Sequence, residues 1–171
     1  MDFETTGLLL PIEAPLDQQP HIIEIGALRL DGQYRVIDSI SELVRPPIPI
    51  DEELHKKITK LTNADLADRA IFAAWRPRLI DFFHGARVVY AHNMPFDLGM
   101  LTTELRRLNA QYAFPYPHEQ VCTAEWSAQR YGKRLRLTQL YEKVIGTPLE
   151  QKHRAIDDCH ALLEIVRKAR L

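Results

Sequence analysis

Residues 21–44 read HIIEIGALRLDGQYRVIDSISELV. The first ten are β-branched and partly alternating, Asp31-Gly32 is a strong tight-turn signal, and YRVIDSISELV alternates again. Residues 22–44 therefore read as a β-hairpin, ended by Pro46, Pro47 and Pro49. Upstream, residues 8–20 (LLLPIEAPLDQQP) hold three prolines and read as a loop, which leaves MDFETTG as a short first strand. Downstream, DEELHKKI is weakly helical, and TNADLAD predicts a short helix capped by Thr62 or Asn63. IFAAWRPRLIDFF predicts a helix whose regular start is limited by Pro77, with Gly85 as its C-terminal cap. RVVYAH is a compact strand, and Pro95 opens a helix carrying Leu98, Leu101, Leu105 and Leu108. VCTA reads as a short strand before a helix that ends near Gly132, and Thr138 as the cap of a helix that stops at Gly146. The last helix, from Arg154 to Ala169, buries Ala155, Cys159, Leu162 and Val166 on one stripe. Leading strands followed by alternating helices and strands predict an α/β fold, a mixed five-stranded sheet flanked by helices.

With 171 residues, 46% hydrophobic and 26% charged, the chain suits one domain spanning 1–171. A net charge of -1 gives no global attraction to nucleic acid or to an anionic membrane, but allows local basic patches. Cys122 and Cys159 alone suggest neither a disulfide framework nor a cysteine zinc site. No apolar run approaches a membrane span, and the acidic start is unlike a signal peptide, so the chain reads as soluble and cytoplasmic.

The first strand poses a problem. Asp2 and Glu4 share one face, roughly 6.5–7 Å apart. Unpaired, they repel, and burial makes that worse. Such a pair is either exposed or holds something positive between its members. Asp97, in the first turns of a helix beyond a predicted central strand, and His153, Asp157 and Asp158 around the start of the last helix add further chemistry at places where open α/β sheets build sites. Taken singly, each acidic residue also reads as ordinary helix N-terminal capping.

In order and character, DFETTG (2–7), AHNMPFD (91–97) and HRAIDD (153–158) resemble the three exonuclease motifs of the DnaQ-like 3′→5′ exonucleases, the DEDDh branch of the ribonuclease H-like superfamily. IIEIGALRLDG, LVRPP and ITKLTNADLAD agree as well, so the resemblance covers essentially the whole chain. It implies a ribonuclease H-like fold, with Asp2, Glu4, Asp97 and Asp158 as ligands of two Mg²⁺ or Mn²⁺ ions and His153 as general base. Asp158 falls five residues after His153, as in the family's HxAxxD pattern, which leaves Asp157 as a solvated first-turn residue. Hard oxygen ligands suit these cations, and paired metals can clamp an in-line displacement at phosphorus.

The resemblance also places Thr5, Thr6 and Gly7 against the 3′-terminal nucleotide, although the same residues read as a simple turn. Leu8 is either a wedge against the terminal base or ordinary core. Leu61 aligns with a family isoleucine that packs on that base, but Lys60 replaces the usual glycine, which predicts an altered backbone there. His92 and Asn93 shape the pocket. Lys152 and Arg154 flank His153 and are the preferred phosphate contacts, while Arg106-Arg107 and Lys133-Arg134 with Arg136 read as solvated charge.

The implied activity is removal of nucleoside 5′-monophosphates from the 3′ end of DNA, single-stranded or frayed, in proofreading or repair with a polymerase partner in trans. RNA end-trimming is the alternative, decided by how the terminal 2′-OH is read. A non-catalytic nucleic-acid-binding module is disfavoured because every motif position is filled, and an internally cutting nuclease lacks support from the HxAxxD motif. Finally, only Met1 precedes the first motif, where family members carry several apolar residues. The first strand is thus expected to be unusually short. An α-amino group, cationic near ~pH 7, is expected beside a metal ligand, and an apolar extension is expected to raise stability and metal affinity.

Overall fold

A computed structural model describes residues 1–171. The elements run β1 (Asp2–Thr5), β2 (Ile22–Leu30), β3 (Val36–Leu43), α1 (Glu52–His55), α2 (Asn63–Ala67), α3 (Phe72–Phe83), β4 (Val88–Ala91), α4 (Met94–Arg107), β5 (Glu119–Cys122), α5 (Thr123–Tyr131), α6 (Leu137–Ile145) and α7 (Ala155–Ala169).

The hairpin forms as read: β2 and β3 are antiparallel, with Ile25 opposite Glu42 and Ala27 opposite Ile40. β1 adds to the other edge of β2, also antiparallel, with Asp2 opposite Gly26 and Glu4 opposite Glu24. β4 and β5 pair in parallel. Five strands are present, but they form a three-stranded and a two-stranded ladder rather than one continuous five-stranded sheet. β1 meets β4 through a single backbone bond, from the Met1 ammonium to the Tyr90 carbonyl at 2.8 Å. Beyond Met1 the sheet opens into a cavity of about 550 Å³, walled by Ala27, Leu28, Val88, Val89, Leu162 and Val166 among others.

β2 is buried on both faces from Ile22 to Ala27, because helices cover both sides of it. α7 lies across β1, β2 and β4 on one side, α4 across the same strands on the other. The expected stripe of α7 is buried, and a second stripe, Ala161 and Ile165, packs with Leu137 and Leu140 of α6. α3 runs through Pro77 instead of beginning near it, and Gly85 follows it at φ 72°. Thr62, not Asn63, caps α2, through a reciprocal bond with Asp65. Asn63 instead ties Ile50 and Glu52 together. Arg136 is the residue before α6, so Thr138 lies inside its first turn rather than capping it. β5 begins two residues before the VCTA run, at Glu119, and Thr123 already opens α5.

The proline-rich loop of residues 8–20 is held from below. Gln19, 3% exposed, bonds the backbone of Leu10 and Pro11. Arg107 donates to the carbonyls of Leu16, Gln19 and Pro20 and pairs with buried Glu104 at 3.0 Å. Arg107 is thus a strut of the fold, not solvated charge.

Candidate functional site

The register of β1 on β2 builds the acidic face. Asp2 and Glu4 stand on the same side of the sheet as their partners Gly26 and Glu24. Gly26 lets α7 land there: a Cβ on it would lie 2.3 Å from the carbonyl carbon of Ala155, the first residue of that helix. Docked this closely, the first turn of α7 turns Asp158 toward the strand. One carboxylate oxygen each from Asp2, Glu4 and Asp158 lie within 4.8 Å of one another. Asp97, 2% exposed in the first turn of α4, reaches the edge of β1 that faces β4, where its Oδ1 accepts the Phe3 N–H at 3.1 Å. These residues and His153 line one open pocket of about 560 Å³, together with His92, Asn93, Arg134, Arg136 and Gln151.

No lysine or arginine pairs with Asp2, Glu4, Asp97 or Asp158. Burial, then the charge of Asp158, pushes the Asp2 carboxyl up to about 7. Burial, then Asp2, pushes Glu4 up to about 8. Asp97 is held well above the usual carboxylate range by burial and by Asp2, and Asp158 is raised by burial against an opposing hydrogen bond from Gln151 Nε2 at 2.6 Å. The Met1 ammonium works the other way on Asp2 and Asp97. Clustered carboxylates with no side-chain counter-ion and only oxygen donors fit a hard divalent cation, whose charge would relieve their repulsion.

The two neighbouring aspartates part company. Asp158 is 8% exposed and faces the cluster. Asp157 turns outward, its carboxylate 3.9 Å from Lys152 Nζ. His153, half-buried, sits in a left-handed backbone conformation (φ 52°) just before α7, on the loop and not in the helix.

The sequence profile of the exonuclease family RNase_T matches residues 1–166. The chain belongs to that family. It carries its acidic site on a mixed α/β fold. Among relatives, this exonuclease-family chain is 30% identical to the DNA polymerase III PolC-type protein of Clostridium perfringens over 97% of its own length and 11% of the relative's. It is 28% identical to the DNA polymerase III subunit epsilon of Pasteurella multocida, over 96% of this chain and 64% of that one. The chain therefore spans less than two thirds of these relatives. Among solved structures, the nuclease domain of 3′hExo, a DEDDh family member bound to rAMP, superposes with a TM-score of 0.78 at 17% identity, over 99% of this chain and 88% of that one. Exonuclease X in complex with 5′ overhanging duplex DNA gives 0.66 at 23%, over 99% and 91%. Escherichia coli Exonuclease I in complex with a dA16 oligonucleotide gives 0.76 at 19%, over 99% and 39%. These likenesses show that the chain shares the fold of those structures.

The expected nucleotide contacts divide. His92 and Asn93 line the pocket; burial pushes the His92 imidazole down to about 4, so it is neutral, and its Nδ1 lies 3.0 Å from Thr123 Oγ1. The hydroxyls of Thr5 and Thr6 are engaged internally, with the Gly7 carbonyl and the His21 N–H. Leu8 is 82% exposed, which removes the core reading for it. Leu61 is 5% exposed and packs with Ile23, Ile50 and Leu66, so it belongs to the core beside the site. Lys60 keeps a left-handed backbone (φ 60°), the conformation glycine favours, so the backbone there is not altered by the lysine.

Of the two preferred phosphate contacts, Lys152 is exposed and lies 3.9 Å from Asp157, while Arg154 has a partner on the sheet. Arg154 turns inward: its Nε and Nη2 lie 3.0 Å from Glu24 Oε1, and Nε is 3.1 Å from Oε2. The basic residues on the pocket wall are instead Arg134, held by Asn93 Oδ1 at 2.8 Å, and Arg136. Glu24, 1% exposed, was missed in the sequence reading. Its signal was a lone carboxylate within the apolar run of residues 22–28, in register with Glu4.

No helix is long and apolar enough to cross a membrane.

Proposed function

We propose that the chain is a divalent-metal-dependent 3′→5′ exonuclease that releases nucleoside 5′-monophosphates from DNA 3′ ends. The observation that carries this is the convergence of Asp2, Glu4 and Asp158 within 4.8 Å, in one pocket with Asp97 and His153. Asp2, Glu4, Asp97 and Asp158 would hold Mg²⁺ or Mn²⁺, two per site. When bound, the cations supply Lewis acidity toward the scissile phosphodiester and the attacking water. His153 takes the proton of that water, a task suited to imidazole at neutral pH, and its place on a loop lets it approach a bound strand end. Asp97 fixes the Phe3 N–H and so the geometry of β1 between Asp2 and Glu4. Arg134, which also pairs with Glu125 at 3.3 Å, and Arg136 line the same pocket as the acidic cluster and would meet the phosphates of the strand. The backbone of Thr5, Thr6 and Gly7, with exposed Leu8, would border the terminal nucleotide.

The relatives named DNA polymerase III PolC-type and DNA polymerase III subunit epsilon support a role beside a DNA polymerase, in proofreading or repair. The test is digestion of 5′-labelled single- and double-stranded DNA and RNA with Mg²⁺ or Mn²⁺. The expected result is a ladder shortening from the 3′ end, with mononucleotide 5′-phosphate as product, abolished by EDTA. Internal cleavage, or activity that survives EDTA, overturns the reading, and a strong preference for RNA replaces the substrate assignment.

A further inference from the structure

We infer that the ion pair between buried Glu24 and half-exposed Arg154 is a positioning device that anchors the His153 loop to the sheet. This rests on the exonuclease reading above and names residues outside its ligand set. Glu24 is almost fully buried in β2, directly opposite Glu4. A carboxylate so placed needs a partner, and its one partner is the guanidinium of Arg154. Arg154 Nε lies within hydrogen-bond reach of both oxygens of Glu24, and Nη2 lies 3.0 Å from Oε1, so the contact is charge-assisted at more than one point.

Arg154 is also the hinge of the third motif. It follows His153, whose φ of 52° is strained for a side-chain-bearing residue, and it precedes the first residue of α7. Its carbonyl accepts the Asp158 N–H at 3.1 Å. One residue therefore joins the sheet, the proposed base and a proposed ligand. On the far side, Ala155 is pressed against Gly26, so the anchor has a fulcrum beside it. The other polar ties of the loop of residues 149–154, which has no helix or strand of its own, run to α7 and not to the sheet: Gln151 and the Arg154 carbonyl to Asp158, and Lys152 to Asp157. Without the pair, His153 would sample positions away from the strand end, and a displacement near ~1 Å is enough to lower a rate about 10²-fold.

The experiment compares Arg154→Ala, Arg154→Lys, Glu24→Gln and the double variant Glu24→Gln/Arg154→Gln, which removes both charges and protects the fold. Single-turnover rates and KM on 5′-labelled single-stranded DNA are read beside melting temperature. Amide hydrogen exchange of the peptide spanning residues 149–158 is followed in metal-free protein. The expected result for Arg154→Ala is a kcat lower by about 10–100-fold with KM changed less than about threefold. Guanidinium chloride in the assay should partly restore it, while His153→Ala gains nothing from the same addition. Exchange should quicken in residues 149–158 and not in β2 or α4, and the double variant should share the kcat loss while folding normally. A rise in KM with kcat retained would make Arg154 a phosphate contact and overturn the inference. So would a lower melting temperature with unchanged kcat, or exchange that quickens everywhere. If the wild-type chain shortens no 3′ end, the exonuclease reading fails, while the exchange measurement still decides whether the pair anchors the loop.

Discussion

Asp157 and Asp158 are neighbours with opposite surroundings, one facing Lys152 and solvent, the other facing Asp2 and Glu4. Asp158→Ala is expected to abolish exonuclease activity and weaken Mn²⁺ binding, while Asp157→Ala retains most of both, as judged by turnover and calorimetry. His153→Ala is expected to lower the rate by about 10²–10⁴-fold, with metal affinity unchanged. A dead Asp157→Ala would mean that the register of the third motif is wrong. The raised carboxyls of Asp2 and Glu4, up to about 7 and about 8, also predict the sign of a pH effect. Folding binds protons that the unfolded chain releases near pH ~4. This contribution to stability is therefore full below the ordinary carboxylate range and is lost as pH rises through about 7 and about 8. Melting temperature of metal-free protein is expected to fall from mildly acidic to mildly alkaline pH, and Mg²⁺ binding at neutral pH to release protons into the buffer. A flat profile in the absence of metal would contradict the buried cluster.

At the scale of elements, the site depends on how closely α7 lies on β2. A methyl group at Gly26 would collide with backbone of Ala155 and Ile156, which cannot rotate away. Gly26→Ala is expected to cost about 1–3 kcal/mol or more, and to lose activity beyond that loss of stability, since the helix carrying Asp158 must lift. Chemical denaturation and turnover together check this. The short β1 leaves its mark on the other side of the same contact. The cavity beyond Met1 lies between the edges of β2 and β4 and is walled mostly by apolar side chains. A short apolar, β-forming extension ahead of Met1 is expected to fill it and to join the two ladders. The extension should raise the melting temperature and lower the Mg²⁺ concentration for half-maximal activity, because the Met1 ammonium is removed from beside Asp2. If neither quantity changes, the cavity does not accept a strand.

For the molecule as a whole, near-zero net charge hides a divided surface, an acidic cluster with Arg134 and Arg136 on the wall of the same pocket. On the proposed reading, divalent cations bind only where the fold assembles Asp2, Glu4, Asp97 and Asp158 from three separate elements. They should therefore stabilise the native state by linkage, about 2.7 kcal/mol at a concentration ~100-fold above the dissociation constant. A melting temperature that rises with Mg²⁺ in the wild type, and not in Asp2→Ala/Asp158→Ala, is the expected readout.

Local chemistry made much of this legible in advance. The hairpin over residues 22–44 follows from alternation and an Asp-Gly turn, and the helix after Pro95 and the helix from Arg154 follow from apolar spacing. The order of the three motifs was enough to name Asp2, Glu4, Asp97, Asp158 and His153. What local pattern could not carry was contact between distant segments. Thr138 sits in a helix set by its neighbours. Arg107 is drawn over a loop by backbone carbonyls far away in sequence. Leu61 is core because Ile23 and Leu66 close over it. Arg154 looked like a free cation because its partner lies 130 residues away, on a strand where a carboxylate has no other counter-charge. Periodicity and capping act within a few residues and can be read along the chain. The pairing of buried charges, the gap left by a short strand and the seat that Gly26 offers α7 exist only once tertiary packing excludes water.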